Sequence, residues 1–266
     1  MPLDDASFPA DEAAALLLAA RRENRLLPTL PGPLRPRSAA QAYAVQDAVL
    51  RGLGPVGGWK AGPPKPDGQI FASAVPQALV LRDPGALPAL AAAPEAEVEL
   101  GLVLGRDLGP EAARDPAALR AAIAAVHVAV ELLASRFADR RALDSLLPLA
   151  DAQSNAAILL GPALGSAGLL DVARIEAALR IDGRPAGQDR GAPAGATILE
   201  SLAWLAGHAA ARGVPLRAGQ VIVTGARVGP VPLPPGVSVE ATLRPGGHPG
   251  GTLSFRLPAA GQARAG

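Results

Sequence analysis

From Glu95 onward apolar and polar residues alternate: Val98, Leu100 and Leu102 fall on one side of an extended chain, and Glu95, Glu97 and Glu99 on the other. A period of two predicts a strand, here with an acidic polar side. Residues 175–181 alternate in the same way up to an Asp182-Gly183 pair that suits a hairpin turn. The run HVAVELLAS, residues 127–135, is apolar almost throughout and predicts a buried strand whose one carboxylate is Glu131. Helical patterns cover residues 11–22, a stretch from Ser38 to a stop at Gly52, residues 116–126 behind Asp115, and residues 198–212 before Gly213. Ser38 has Gln41 three residues on, as in a capping box. Short strands are predicted around 220–224, 237–243 and 252–257, while the Gly- and Pro-rich residues 55–94 predict loops and brief strands. The class is α+β, with a helical N-terminal domain over 1–54, a strand-dominated domain over 55–258 and a flexible tail over 259–266.

Composition narrows the functions. Thirty glycines and 28 prolines would suit a disordered chain, but 49% hydrophobic residues are enough to fold one. Lysine plus arginine (25) nearly balance aspartate plus glutamate (24) and form no basic tract, which argues against a nucleic-acid partner. Without cysteine there are no disulfides, thiolate metal sites or cysteine nucleophiles. The apolar run near the start is too short and too soon charged for a membrane span or signal, so a cytoplasmic protein is expected. GPVGGWKAG lacks P-loop spacing, and neither a nucleophile elbow nor a dinucleotide fingerprint is present. His127, His208 and His248 are far apart and lack metal-ligand spacing.

The acidic strand is the candidate for chemistry. Taken alone, it has a plain reading as an amphipathic strand with its polar face in water. Glu131 argues otherwise, because an unpaired carboxylate inside an apolar strand costs several kcal/mol, on the order given for buried charges. With no cysteine and no clustered histidine, an oxygen-only site for a hard divalent cation would satisfy both segments.

PEAEVELGLVLGRDL resembles the E-x-E strand of the fumarylacetoacetate hydrolase superfamily, and AVELLASRFADR resembles the segment carrying that family's third metal carboxylate. Aligned through GRDL, the family's ligands fall on Glu97, Glu99 and Glu131, and Glu95 is extra. QAYAVQ, VGGWKAG with Lys60, ADAQS with Asp151 and Ser154, AWLA, and RAGQVIVTGA with Thr224 and Gly225 resemble the hydratase and decarboxylase branch. The departures are Ala61-Gly62-Pro63-Pro64 after the lysine, Ala152-Gln153 for an Asn-Ala pair, Thr197-Ile198 for a His-Pro pair, and Arg227 after the Thr-Gly turn.

The resemblance implies a mixed β-sandwich or roll with a small helical N-terminal domain, and a homo-oligomer, dimer or larger. It implies Mg²⁺ or Mn²⁺ on Glu97, Glu99 and Glu131, proton transfer by Lys60 of lowered pKa with Asp151, and substrate binding by Ser154, Thr224 and Gly225. The implied activity is a hydro-lyase of aromatic-compound catabolism that adds water to a 2-hydroxy-2,4-dienoate of the 2-oxopent-4-enoate type. A 2-oxo-3-enedioate decarboxylase, an acylpyruvate hydrolase and a non-catalytic ligand-binding relative share the same residues. A decarboxylase needs a cation for the substrate's distal carboxylate; Arg136 and Arg140 are expected in solvent, which leaves Arg227 as the candidate.

Overall fold

The structure is a computed structural model that describes residues 7–259 apart from 84, 86, 88, 89, 91–93, 172, 173, 188, 190 and 192. The expected tail therefore lies almost wholly outside the described residues. Two helices open the chain, α1 (Ala10–Arg22) and α2 (Ala39–Leu53). Ser38 caps α2 by accepting from the Gln41 amide. The helix runs through Gly52 and stops at Gly54, where φ is 101°, because Gly52 keeps helical geometry and Gly54 supplies the left-handed exit. The expected boundary after residue 54 falls between α2 and the first strand. Leu17, Ala42 and Val45 of the two helices share a core with Phe137, Leu147 and Leu149 from much later in the chain.

The main sheet contains β1 (Val56–Ala61), β2 (Ala72–Pro76), β3 (Val80–Leu81), β4 (Glu95–Leu104), β5 (Ile123–Leu133), β6 (Asn155–Gly165), β9 (Val221–Val223) and β10 (Val228–Pro232). Its order is β2-β1-β9-β4-β5-β6-β3, with β10 also on β4. A smaller sheet holds β7 (Ile175–Ile181), β8 (Arg184–Ala186), β11 (Ser238–Pro245) and β12 (Gly251–Arg256), in the order β12-β11-β7-β8. In its hairpin, Asp182 and Gly183 both take positive φ, as a two-residue turn requires. The sheets meet closely at Gly161, where a Cβ would lie 2.8 Å from that of Leu253.

Helix α3 (Pro116–Ala122) ends earlier than the sequence suggests, because β-branched Ile123, Val126, Val128 and Val130 pair along β4 instead. Helix α4 (Leu146–Ala150), β6 and β10 were not anticipated, and the two prolines of β10 disguise it as a loop. Helix α5 (Gly195–Ala211) begins a turn before Ile198 and buries Ile198, Leu202, Leu205 and Ala209 at helical spacing. Those side chains join Val98, Leu100 and Leu102 in the principal core, so the apolar side of β4 is covered and its glutamates face the opposite way.

Candidate metal centre

Strands β4 and β5 are antiparallel, with Glu97 directly opposite Glu131 and Glu99 opposite Ala129. The period of two puts Glu97 and Glu99 on one face, and the register brings Glu131 onto it. One ligand oxygen from each lies within 4.8 Å of the others. This is not a water-facing acidic stripe: Glu131 is 0% and Glu99 2% exposed, with Glu97 half-buried.

Lys60 on β1 reaches Glu131 Oε1 at 2.7 Å, and Asn155 Nδ2 donates to the same oxygen at 2.9 Å. The other oxygen, Oε2, is buried with no hydrogen-bond partner among the described residues. Glu99 Oε2 accepts from the Gly225 amide at 2.5 Å. Gly225 has φ 104°, and a Cβ there would meet Pro63 Cδ at 2.9 Å, so the turn needs glycine twice over. Burial, then the charges of Glu131 and Glu97, hold Glu99 well above the ordinary carboxylate range. Burial and Glu131 push Glu97 up to about 7. Lys60 is pushed down by burial but further up by Glu131, Glu97 and Glu99, so its pKa is raised rather than lowered as expected. One ammonium thus faces three carboxylates. An all-oxygen donor set, an orphaned buried oxygen and uncompensated negative charge fit a hard divalent cation.

Ser154, placed by the resemblance at the substrate, is fully buried, and its hydroxyl has no hydrogen-bond partner among the described residues. The Thr224 hydroxyl donates to Leu100 O at 3.3 Å, so of that pair it is the Gly225 amide that reaches the cluster. Asp151 is not brought to Lys60. Its carboxylate accepts from Arg136 Nε and from the Ser135 hydroxyl, while Arg136 Nη2 donates to its carbonyl at 2.6 Å. Arg136 is therefore 6% exposed, against the expectation of solvent: a buried guanidinium needs a carboxylate, and Asp151 supplies one. Beyond Asp151, Ala152, Gln153 and Ser154 take φ of 50°, 51° and 64°, three left-handed residues in succession. That turn points Gln153 O at Lys60 Nζ, 3.4 Å away, while Gln153 Oε1 accepts from Ser73 and Ser73 from Gln46.

Arg140 also departs from expectation. It and Arg141 both donate to the Glu95 carboxylate, and Arg140 keeps a quarter of its side chain exposed. Arg227, the candidate cation for a distal carboxylate, is buried and faces away from the glutamates. It donates to Pro193 O and lines a cleft of about 560 Å³ with Leu100, Ile198 and Asp189, the charge it feels most. The histidines stay out of the centre: His127 bonds Gly161 O, and His208 stacks on Trp204 with its pKa pushed by burial to about 4. Sequence reasoning missed Asn155, Ser135, Ser73 and Gln153. Gln153 carried a signal as part of the Ala152-Gln153 departure, and Asn155 as an amide beside the ADAQS segment.

A mixed β-roll that turns three carboxylates and a lysine onto one buried spot defines a class of protein that gathers oxygen donors for a cation. Residues 47–256 match the fumarylacetoacetate (FAA) hydrolase C-terminal family, and the chain belongs to it. It is 31% identical over 150 residues to the 2-keto-4-pentenoate hydratase of Paraburkholderia xenovorans (strain LB400) and, to the same extent, to 2-keto-4-pentenoate hydratase 3 of Pseudomonas putida. Each match covers 56% of this chain and 55% of the relative, so the chain spans about half the length of these curated relatives. The fold resembles that of 4-oxalocrotonate decarboxylase from Pseudomonas putida G7, complexed with magnesium and adipate, with a TM-score of 0.71 at 22% identity over 92% of this chain and 97% of that one. Among the described residues no helix is long and apolar enough to cross a membrane.

Proposed function

We propose that the protein is a divalent-cation-dependent hydratase of 2-hydroxy-2,4-dienoates, of the 2-oxopent-4-enoate type, acting in the breakdown of aromatic compounds. The observation that carries this reading is the convergence of Glu97, Glu99 and Glu131 around one point, with Glu131 Oε2 unpartnered and Lys60 in contact. The curated relatives support the reaction type. A homo-oligomer in the cytoplasm belongs to the same reading.

Glu97, Glu99 and Glu131 would hold the cation, Mg²⁺ or Mn²⁺. When bound, it supplies a Lewis acid for the substrate's 1-carboxylate and 2-oxygen. Lys60 holds the proton exchanged with the substrate, delivering one to C5 as the 2-hydroxyl proton leaves and the dienol becomes a 2-oxo-3-enoate. Water then adds its hydroxyl at C4 and a proton at C3, so the product is the substrate plus one water. The Ser154 hydroxyl, without a partner among the described residues, bonds the substrate, and the Thr224-Gly225 turn closes the pocket beside Glu99. Asp151 acts by fixing the turn that presents Gln153 O to Lys60.

The test is to supply Mg²⁺ with 2-hydroxypenta-2,4-dienoate or 2-hydroxyhexa-2,4-dienedioate and to follow both dienol absorbance and CO₂. Loss of absorbance without CO₂ is expected. CO₂ release from the diacid, with the monoacid left unhydrated, would make the protein a decarboxylase on the same centre.

A further inference from the structure

Burying a guanidinium away from any carboxylate is costly, and this chain twice avoids it. Arg136 is matched by Asp151, and Arg212, with 8% of its side chain exposed, has Nη2 2.6 Å from Asp47. Arg227 is 5% exposed, yet no carboxylate of the described residues lies within bonding distance of it. Its Nη2 donates to Pro193 O at 2.9 Å, while Nε is buried without a hydrogen-bond partner among the described residues. The Arg227 amide donates to Val98 O at 2.9 Å, which fixes the residue against β4. A charge is thus held on a firm frame with a donor left over.

Arg227 forms part of the wall of the 560 Å³ cleft, whose apolar lining is Leu100, Leu170, Ile175 and Ile198. Alternation along β4 turns Leu100 away from Glu97 and Glu99, so the cleft and the carboxylate cluster lie on opposite faces of the sheet. Helix α5 starts at the edge of the cleft, where Ala194 offers no side-chain cap and the first turn carries no acid. Gly195 packs so closely that a Cβ would lie 1.8 Å from Leu170 O, which holds the positive end of the helix in place. The acids in the wall are already engaged. Asp189 accepts from the Ala177 and Gly191 amides at 2.7 and 2.8 Å, and Asp171 is gripped by Arg120. Arg174, also in the wall, is 82% exposed and pairs with Glu176. Ile198 and Arg227 both fall where the sequence departs from the family pattern, so the cleft is a feature of this chain.

We infer that this cleft is a second binding site, for a small organic carboxylate whose head bonds Arg227 and whose hydrocarbon body lies on Leu100, Leu170, Ile175 and Ile198. One buried guanidinium beside a helix start suits a monoanion. Asp171 and Asp189 in the same wall oppose the second charge of a phosphate, and the apolar lining calls for a hydrocarbon body rather than a bare ion. The site stands apart from the hydratase reading, since none of its residues holds the cation or moves a proton there.

Calorimetry with hexanoate, acetate and inorganic phosphate on the Mg²⁺-loaded protein tests the assignment. Hexanoate is expected to bind about tenfold or more tightly than acetate, which lacks the methylenes that the apolar lining buries, and more tightly than phosphate. Arg227→Gln, which keeps a donor for Pro193 O, should lower hexanoate affinity about tenfold or more and leave Mg²⁺ affinity unchanged. Ala194→Asp caps α5 and sets a carboxylate at the edge of the cleft, so it should fold well and lose hexanoate. Glu131→Gln should bind hexanoate as wild type does, which separates this site from a carboxylate held at the cation. The inference is overturned if wild type does not bind hexanoate, or if binding is lost in Glu131→Gln. It is equally overturned if binding is undiminished in Arg227→Gln or, should that variant fail to fold, in Ala194→Asp. Phosphate that binds more tightly than hexanoate and depends on Arg227 overturns the choice of a carboxylate.

Discussion

Protons and the cation should compete for the centre. Burial and Glu131 lift Glu97 from the ordinary 4.5 to about 7, so below that pH the cation must displace a proton in order to bind. Each unit below 7 costs about 1.4 kcal/mol, and two units cost about 3 kcal/mol, or roughly a hundredfold in apparent affinity. Glu99, also raised, adds to this. In linkage terms the folded pKa of Glu97 lies above the unfolded one. The neutral acid's stabilisation is therefore fully present below pH 4.5 and is lost as pH rises through 7 in the metal-free protein. His208 works in the opposite direction. Its folded pKa is lowered to about 4, so its contribution is present above pH 6.5 and lost as pH falls through 4. A melting curve alone would mix the two, whereas Mg²⁺ titration isolates the carboxylates. Calorimetry at pH 8 and pH 5, in buffers of different ionisation enthalpy, should show affinity falling about a hundredfold, with proton release on binding at the lower pH. Glu97→Gln should flatten the dependence that remains. A dissociation constant that does not change between pH 8 and pH 5 would refute the reasoning.

Other perturbations reach the remaining parts of the site. Lys60→Met should lower kcat by about 100-fold or more, on the scale of general acid-base catalysis, while Mg²⁺ affinity in calorimetry stays nearly intact. Glu131→Gln should abolish Mg²⁺ binding, and retention of wild-type affinity would remove Glu131 from the ligand set. Arg136→Met leaves Asp151 buried without its partner and should cost about 3–5 kcal/mol in denaturant unfolding. Ala152→Gly relieves a left-handed residue and should raise stability by about 1 kcal/mol; a loss of that size would mean that the turn is not strained there.

The legible parts of the site were those in which one segment carries its own contradiction. An acidic strand face can sit in water, but a lone glutamate in an apolar run demands a partner, and pairing β4 with β5 gathers the carboxylates onto one face beside Lys60. The helix over 116–126 failed because a short apolar stretch satisfies either period, and long-range pairing with β4 decided its second half. Arg136 and Arg140 looked like solvent residues because they follow the point where the segment turns polar. Their partners, Asp151 and Glu95, lie 15 and 45 residues away, a distance that no local pattern encodes. Arg227 shows the converse, since the sequence singled it out as a candidate cation while the side of the sheet it faces is set by the fold.

Three consecutive left-handed residues cost about 1–2 kcal/mol each, so the 152–154 turn persists only because its ends are held. Arg136 grips the Asp151 carboxylate and carbonyl at one end, and the Ala134 amide donates to Ser154 O at the other. In between, the Gln153 side chain is tied through Ser73 to Gln46 on α2. What the strain secures is local: a carbonyl turned toward Lys60, a bare hydroxyl at Ser154, and Asn155 aimed at Glu131. An aspartate used as an anchor in this way is engaged by Arg136 and Ser135 rather than by Lys60. On the proposed function, proton movement therefore falls to Lys60 and the setting of its surroundings to Asp151. The N-terminal helices become part of the same device, since Gln46 and the core around Phe137 brace the turn from outside the main sheet.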